Sequence, residues 1–264
     1  MRRSEALREF LEQSTHAQRC ELVRRRRRSD LSLEELLEPD RLATVIGNYG
    51  RRHGASTHFA AVAGQWSKQY FAKIMRPVAS AAMLLDWRLP FSLDDLSICV
   101  SADGDIISLG LSNLGRTVIP QHVEDRFDFL LKDNISEVVR AIAKVSGLSR
   151  NVLWSNAGNV FEGLASSYVA DRKHLPKGVV DAFALLDTPF LLNGSRNPIF
   201  SPIVYSDICD QRKRKRRVCC IRFMIDGLDY CATCPCPIGE CAVPAKASSQ
   251  LNPRAASSQR PDLV

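Results

Sequence analysis

The chain has no long hydrophobic run, few histidines and no recognisable nucleotide-binding motif. A membrane-spanning helix needs about 18 consecutive apolar residues, whereas the longest apolar run here extends only from Val78 to Leu85. A glycine-rich phosphate loop and a dinucleotide fingerprint are both missing, which argues against a bound nucleotide cofactor. The five histidines are scattered, and we expect none of them to bind a metal.

The sequence also has none of the features of an exported protein. Residues 1–9 contain no apolar central region, so we expect no signal peptide. Nine cysteines are an odd number, and six of them fall between Cys219 and Cys241. This clustering differs from a secreted disulfide framework. We therefore expect a cytoplasmic protein whose clustered cysteines are metal ligands or redox groups.

Positive charge is concentrated in two runs, and the net charge is +7. Five consecutive arginines, Arg24 to Arg28, suit a solvated helix end or a disordered arm. The six residues from Arg212 to Arg217 are all Lys or Arg and lie directly before the first cysteine pair. Basic surfaces bind nucleic acid, anionic membranes or anionic ligands. The position of the second run gives it an electrostatic role beside the thiols.

The apolar pattern predicts an α+β fold, a helix-rich single domain with a β-hairpin or small antiparallel sheet and a C-terminal cysteine-rich segment. The strands are Leu96 to Val100 and Ile106 to Leu109, joined through the turn at Asp103-Gly104. Pro77 is expected to end or kink the longest helix. Helical spacing covers residues 31–37, 39–46, 55–74, 78–85, 123–131, 135–145, 150–169 and 176–186.

Composition suggests three parts of the chain. Residues 1–44 are predicted to be a basic helical N-terminal extension, because their apolar stripe is thin. Residues 45–241 form the main domain, with the metal-binding segment at 216–236. Residues 242–264 are rich in Ser, Pro, Ala and Gln, which predicts a disordered tail.

The thiol segment carries the strongest chemical signal. It contains the adjacent pair Cys219-Cys220, then ten residues, then Cys231-x-x-Cys234. Four thiolates can hold an iron–sulfur cluster or a structural zinc. Side chains of neighbouring residues in an extended segment point to opposite faces. Adjacent cysteines therefore favour a two-iron centre over one small zinc ion, although Cys236 or Cys241 can replace one of the four ligands.

The basic residues before the pair suit such a centre. A [2Fe–2S] core with four thiolates carries a net negative charge, and one-electron reduction adds another. Cations beside it stabilise the reduced state and raise the reduction potential. Arg216 and Arg217 are placed to do this; they can equally attract an anionic substrate or stay solvated.

These residues resemble the C-terminal signature of the FhuF-like ferric-siderophore reductases. The resemblance rests on Cys219-Cys220-x10-Cys231-x2-Cys234 and on Arg216-Arg217 before the pair. It extends more weakly over residues 45 to 235, through Gln65 to Tyr70, Leu153 to Ala157 and Asn197-Pro198.

The resemblance implies a [2Fe–2S] cluster held by Cys219, Cys220, Cys231 and Cys234. It further implies a cytoplasmic oxidoreductase that reduces Fe(III) bound to a siderophore, typically a hydroxamate, and so releases Fe(II). The partners are then a ferric siderophore and an external electron donor such as a ferredoxin, a flavodoxin or a flavin reductase. Peripheral association with the inner membrane fits this function, and no nucleic acid is expected.

Two other functions fit the residues taken alone. A zinc-stabilised basic protein that binds nucleic acid would explain the basic runs and the cysteine knuckle. An iron–sulfur sensor would have the same cysteines and would signal rather than reduce. The aromatic residues Trp66, Tyr70 and Trp154 are interpreted as packing residues, with a siderophore-pocket wall as the functional alternative.

Overall fold

The computed structural model describes residues 21–23, 30–54, 58–169, 174–208 and 211–236. Within these ranges the fold is helix-rich, with small sheets at its edges. The main helices are α1 Leu33–Leu37, α2 Pro39–Gly50, α3 Phe59–Leu85, α4 Ser136–Ser146, α5 Arg150–Ser167 and α6 Lys177–Asp187. The strands are β1 Glu21–Val23, β2 Leu31–Ser32, β3 Trp87–Arg88, β4 Leu96–Val100, β5 Ile106–Leu111, β6 Arg116–Thr117, β7 Ile203–Ile208 and β8 Gln211–Arg216.

Local sequence signals explain where the first helices begin. Ser32 accepts a hydrogen bond from the Glu35 amide, and the Glu35 carboxylate accepts one from the Ser32 amide. This capping box starts α1, and Pro39 at the first turn starts α2. The side chains of Leu36 and Leu42 are fully buried in the common core. Residues just before position 45 thus pack with the rest of the described chain.

The long helix α3 runs through the centre of the fold. Of the two effects expected of Pro77, it does not end the helix, since α3 continues from Phe59 to Leu85. Proline removes one backbone donor, but both sides of Pro77 are packed, with Ile74 and Val78 fully buried. The tertiary contacts of this helix outweigh the local cost.

The predicted hairpin is confirmed, and it joins a four-stranded sheet of order β1-β5-β4-β2. β4 pairs antiparallel with β5, while β1 pairs with β5 in parallel. Gly104 in the connecting turn has a φ of +78°, and an added Cβ would lie 2.3 Å from the Val45 carbonyl oxygen. Trp66 on α3 donates its indole N–H to the Gly104 carbonyl at 3.0 Å. The turn therefore locks the sheet to the central helix.

A second hairpin, β7–β8, lies where the sequence suggested loop and a basic run. Tyr205 pairs with Arg214 across this hairpin. The guanidinium of Arg214 binds the buried carboxylate of Glu162 on α5, and it donates to the side-chain oxygen of Asn159 at 2.8 Å. Tyr205 and Ser166 also donate to Glu162, at 2.5 and 2.9 Å. Besides the buried Ile203 in β7, polar contacts to Glu162 and Asn159 thus hold the hairpin on α5.

Glu162→Gln is expected to destabilise the protein by about 3 kcal/mol, because it removes the buried carboxylate and leaves the partly buried charge of Arg214 without its counter-ion. The melting temperature should fall by roughly 6–12 °C, measured by circular dichroism. Asp128→Asn is the matched control, since the Asp128–Lys132 pair is exposed. Equal melting temperatures for the two variants would show that the Arg214–Glu162 ion pair contributes no more stability than the exposed pair.

The segment predicted as a helix over 123–131 is more irregular than expected. A 3-10 turn covers Glu124–Arg126, a short helical turn covers Asp128–Leu130, and a π-helical turn over Leu131–Ile135 leads into α4. The buried side chain of Asn134 accepts a hydrogen bond from the Tyr70 hydroxyl at 3.0 Å and donates to the Phe91 carbonyl at 2.9 Å. The π-helical turn places the Asn134 side chain where it reaches both of these partners inside the core.

Some predictions concern residues that the structure does not describe. The arginine run 24–28, the predicted tail 242–264 and the cysteines Cys20, Cys209 and Cys241 lie outside the described residues. In the described part of the chain, no helix combines the length and apolar character needed to cross a bilayer.

Candidate metal centre

The thiol segment follows β8 directly and folds back on it. The Arg216 amide donates to the Thr233 carbonyl at 2.9 Å, which ties the Cys231-x-x-Cys234 turn to the strand. Within the turn, the Cys234 amide donates to the Cys231 carbonyl at 2.9 Å. Ile225, in the connecting loop, is 1% exposed and anchors that loop in the core. The two halves of the segment are thereby held against each other.

The four predicted ligands form two pairs. The Sγ atoms of Cys219 and Cys234 are 4.0 Å apart, and those of Cys220 and Cys231 are 3.6 Å apart. Each of the adjacent cysteines therefore faces a different member of the Cys-x-x-Cys turn. Ile221 has a φ of +50°, so the chain reverses direction immediately after the adjacent pair.

These distances suit two metal ions, each with two thiolates. Two sulfurs bound at about 2.3 Å in a tetrahedral arrangement lie about 3.8 Å apart. Both pairs are close to that value. A [2Fe–2S] core requires two thiolates on each of its two irons. The donor set and its spacing thus fit this cluster.

A fifth thiol lies near one of the pairs. The Sγ atoms of Cys219, Cys234 and Cys236 all lie within 4.8 Å of one another. Cys234 is buried, whereas Cys219 and Cys236 are partly exposed. Geometry alone therefore allows Cys236 as a neighbour of the first pair, as the sequence suggested.

Two cations interact with the thiols, Lys68 by a hydrogen bond and Arg216 through its charge. Lys68 on α3 donates from its ammonium to the Cys220 Sγ at 2.9 Å. Arg216 is only 2% exposed, and its guanidinium donates to the side-chain oxygen of Asn156 and, at 3.2 Å, to the Ser155 hydroxyl. The Nε atom of Arg216 is buried and has no hydrogen-bond partner among the described residues. The electrostatic role of Arg216 stays a prediction; burial of the side chain excludes only the alternative that it is solvated.

Asn156 links the cation to the central helix. Its amide nitrogen donates to the Gly64 carbonyl at 3.0 Å and to the Ser67 hydroxyl at 2.8 Å. Ser67 in turn donates to the Gly64 carbonyl at 2.7 Å. The bonds from Asn156 and Ser155 hold the terminal nitrogen of the Arg216 guanidinium in place.

The protein environment favours a thiolate at Cys220. The hydrogen bond with the Cys231 thiol and the ammonium of Lys68 lower the pKa of Cys220 to about 4, against the opposing effect of burial. The pKa of Cys231 is raised, chiefly because that thiol keeps the shared proton. Burial lowers the pKa of Arg216, while the thiols of Cys220, Cys231 and Cys219 oppose this shift. A preformed thiolate is the form that binds metal.

A surface cleft of about 400 Å³ opens beside the thiol segment. Trp154 of α5 lines it together with Val218 and Arg217, and Arg217 also donates to the Ser201 hydroxyl at 2.9 Å. Trp66 and Tyr70 do not reach this surface, because both are fully buried in the core. Of the three predicted aromatic residues, only Trp154 is placed to contact a ligand here.

Comparison with known proteins agrees with this architecture. The profile of a family described as "Ferric iron reductase FhuF-like transporter" matches residues 64–210, more than half of the chain. The chain belongs to the FhuF-like family. A second profile, described as "FhuF 2Fe-2S C-terminal domain", matches residues 216–235. The cofactor of this FhuF-like protein is accordingly a [2Fe–2S] cluster.

Individual relatives of the FhuF-like chain are distant. The ferric siderophore reductase of Escherichia coli (strain K12) is 22% identical over 173 residues, which cover 64% of this chain and 63% of that protein. Two solved structures of the aerobactin synthetase IucA from Klebsiella pneumoniae, one ATP-bound, share the fold with TM-scores of 0.50 and 0.52. Their identities are 11% and 13%, and the match covers 65% of this chain and 37% of theirs.

Sequence reasoning found the cysteines of the FhuF-like chain but not the residues that support them. Lys68 and Asn156 lie far from the thiols along the sequence, 152 residues before Cys220 in the case of Lys68. Both lie inside segments that the family resemblance had marked, 65–70 and 153–157. That resemblance was the only sequence signal for them.

Proposed function

We propose that this protein is a ferric-siderophore reductase that holds its [2Fe–2S] cluster through Cys219, Cys220, Cys231 and Cys234. The observation that carries the proposal is the cross-pairing of the thiols, Cys219 with Cys234 and Cys220 with Cys231. The matched 2Fe-2S segment, 216–235, includes these four residues and ends before Cys236. Both facts favour this set over one that contains Cys236.

The proposed reaction follows from the chemistry of iron ligands. Oxygen donors of a siderophore bind hard Fe(III) tightly and the softer Fe(II) less well. When bound, the cluster supplies the single electron that converts chelated Fe(III) to Fe(II). We propose a hydroxamate siderophore as substrate and release of Fe(II) in the cytoplasm. One electron enters from an external donor for each electron that leaves.

The residues of this chain prepare the site for that transfer. Lys68 and Arg216 place positive charge next to the sulfurs, which favours uptake of an electron. The Asn156 network holds Arg216 in place without a carboxylate, so the charge of the guanidinium is not cancelled by an acidic neighbour.

Lys68→Met is expected to lower the reduction potential by roughly 30–60 mV, because it removes a charge-assisted hydrogen bond to a ligand sulfur. The potential is measured by anaerobic titration followed by EPR. Lys144→Met, an exposed lysine on α4, is the matched control and should leave the potential unchanged. A Lys68→Met potential equal to that of the control would show that the contact has no electronic effect.

The proposed function requires an external electron donor and access to imported siderophore. No nucleotide fingerprint occurs in the sequence, so we propose that a ferredoxin, a flavodoxin or a flavin reductase supplies the electron. Peripheral docking at the inner membrane would bring the protein close to imported siderophore. We also propose the domain limits 45–241, with residues 31–44 folded onto the same unit, since Leu36 and Leu42 are buried in its core.

The nucleic-acid alternative finds less support in the geometry. Two of the six residues in the basic run, Arg214 and Arg216, are turned inward to Glu162 and Asn156. They are therefore not available to phosphates. An iron–sulfur sensor would keep all of these contacts and would differ only in releasing no Fe(II).

The first test is the metal content of the protein purified without oxygen. We expect two irons and two sulfides per chain, no zinc, and an S = 1/2 EPR signal after reduction. The reduced protein is then mixed with a ferric trihydroxamate and a colorimetric Fe(II) chelator. One Fe(II) released per reduced cluster supports the reductase. Binding without Fe(II) release would favour the sensor, and a colourless zinc protein would refute both.

A further inference from the structure

Two clefts meet at the surface next to the metal centre. The first is the cleft of about 400 Å³ described above, which we name the Arg217 cleft. The second, of about 300 Å³, lies between α5, α6 and the turns before α4. Trp154, Arg196 and Pro198 line both. Their joint size is in the range of sites that take ligands of drug size or larger.

The Arg217 cleft shares a wall with the metal centre. Val218 lines the cleft and is bonded directly to Cys219, so their Cα atoms are about 3.8 Å apart. The Ser155 hydroxyl, also in the lining, donates to the Val218 carbonyl at 3.5 Å and accepts from Arg216. A molecule in the cleft therefore lies against the backbone that carries the first proposed ligand.

The lining of the Arg217 cleft is positively charged. Arg196 and Arg217 are both exposed there, and its described lining residues include no carboxylate. The other lining residues are uncharged: amides, hydroxyls and apolar groups, the largest of which are Trp154 and Phe200. The neighbouring cleft, in contrast, contains the carboxylates of Glu124 and Asp128 together with the ammonium of Lys132, which pairs with Asp128. An anion entering the combined site is thus drawn towards the side that adjoins the thiols.

We propose that the Arg217 cleft binds the ferric chelate and that Arg196 and Arg217 select complexes with a net negative charge. This inference rests on the proposed reductase function and specifies its substrate class, hydroxamate chelates that carry an additional carboxylate. Guanidinium groups bind carboxylates through paired hydrogen bonds. The apolar rings of Trp154 and Phe200 contact the uncharged body of the chelator.

Binding can be measured separately from reduction with gallium(III) complexes. Gallium(III) has the charge and nearly the size of Fe(III) but is not reduced under these conditions. One probe is the gallium complex of desferrioxamine B, which carries a free ammonium group. The other is the same complex with that amine succinylated, which replaces the ammonium with a carboxylate. The two probes share one metal core and differ in the sign of their charge.

Titration calorimetry of the oxidised, cluster-loaded protein should give at least tenfold tighter binding of the carboxylate probe. Arg196→Gln and Arg217→Gln should each weaken that binding roughly threefold to fivefold and leave the ammonium probe unaffected or slightly tighter. The preference should also decrease as salt is added. Lys144→Gln, which removes one exposed positive charge outside both clefts, is the control for net charge and should change neither affinity.

Two results would overturn the inference. One is equal affinity for the two probes; the other is a preference that both arginine variants retain. The reductase function is tested independently, with the ferric forms of the same chelators and the Fe(II) assay. Arginine-dependent binding without Fe(II) release would refute the reductase function and support anion selection by the Arg217 cleft. Fe(II) release without a charge preference would support the reductase function and refute anion selection by the cleft.

Discussion

Cys231→Ser is expected to abolish the [2Fe–2S] cluster, whereas Cys236→Ser is expected to leave it intact. Cys231 is the partner of Cys220, at 3.6 Å between the sulfurs, and no other described cysteine is grouped with this pair. Its loss would leave one iron with a single thiolate. Cys236 lies near the other pair, Cys219 and Cys234, which already supplies two sulfurs. The two substitutions therefore separate the competing ligand sets.

The measurement is iron and sulfide per chain, with visible absorption, on variants purified in parallel without oxygen. The Cys231 variant should contain less than about a tenth of the wild-type iron, since a cluster needs all four ligands for stable retention. Circular dichroism shows whether each variant is folded. A wild-type iron content in the Cys231 variant, or loss of iron from a folded Cys236 variant, would show that Cys236 is the ligand in place of Cys231.

Arg216→Gln is expected to have the second largest effect, a fall of the reduction potential on the order of 100 mV. Unit charges several ångströms apart interact by roughly 2–3 kcal/mol at an effective dielectric constant of about 20, and 1.4 kcal/mol corresponds to about 59 mV for one electron. Arg216 is almost completely buried, so water screens its charge less than that of a surface residue.

Two further variants distinguish charge from structure. Arg212→Gln removes an exposed positive charge from the same hairpin and should shift the potential by much less. Arg216→Lys keeps the charge but loses the planar contacts with Asn156 and Ser155. It should retain most of the potential and lose stability instead. An equal fall of the reduction potential in the Gln and Lys variants would mean that the hydrogen bonds of the guanidinium, and not its charge, set the potential.

The sequence predicted the thiols because their spacing is local, but it did not predict how they pair. The assignment of Cys219 to Cys234 and of Cys220 to Cys231 depends on the turn at Ile221 and on the bond between Arg216 and Thr233. Both come from the folded segment. Lys68 was missed for a similar reason: its contact with Cys220 is formed by packing of α3 against the segment and leaves no local pattern.

The hairpin β7–β8 was missed because its second strand has no apolar residue. A strand is recognised by alternating apolar and polar positions, and residues 211–216 read QRKRKR. The two faces of the strand do alternate, but both carry polar residues. Arg214 and Arg216 form the inward face and bind Glu162 and Asn156. At Pro77 the strong local signal for a helix end is outweighed by burial on both sides of the proline, and α3 continues.

The cross-pairing of the thiols also makes assembly of the cluster sensitive to oxidation. Cys220 and Cys231 enclose ten residues, and Cys219 and Cys234 enclose that inner ring. Sulfurs 3.6 and 4.0 Å apart need only small movements to reach disulfide distance. In the metal-free chain, oxidation would join the same partners that we propose share an iron. Iron delivery and disulfide formation would therefore compete for the same four thiols, and a chain oxidised at both pairs could not bind iron through them until a reductant reopened both disulfides.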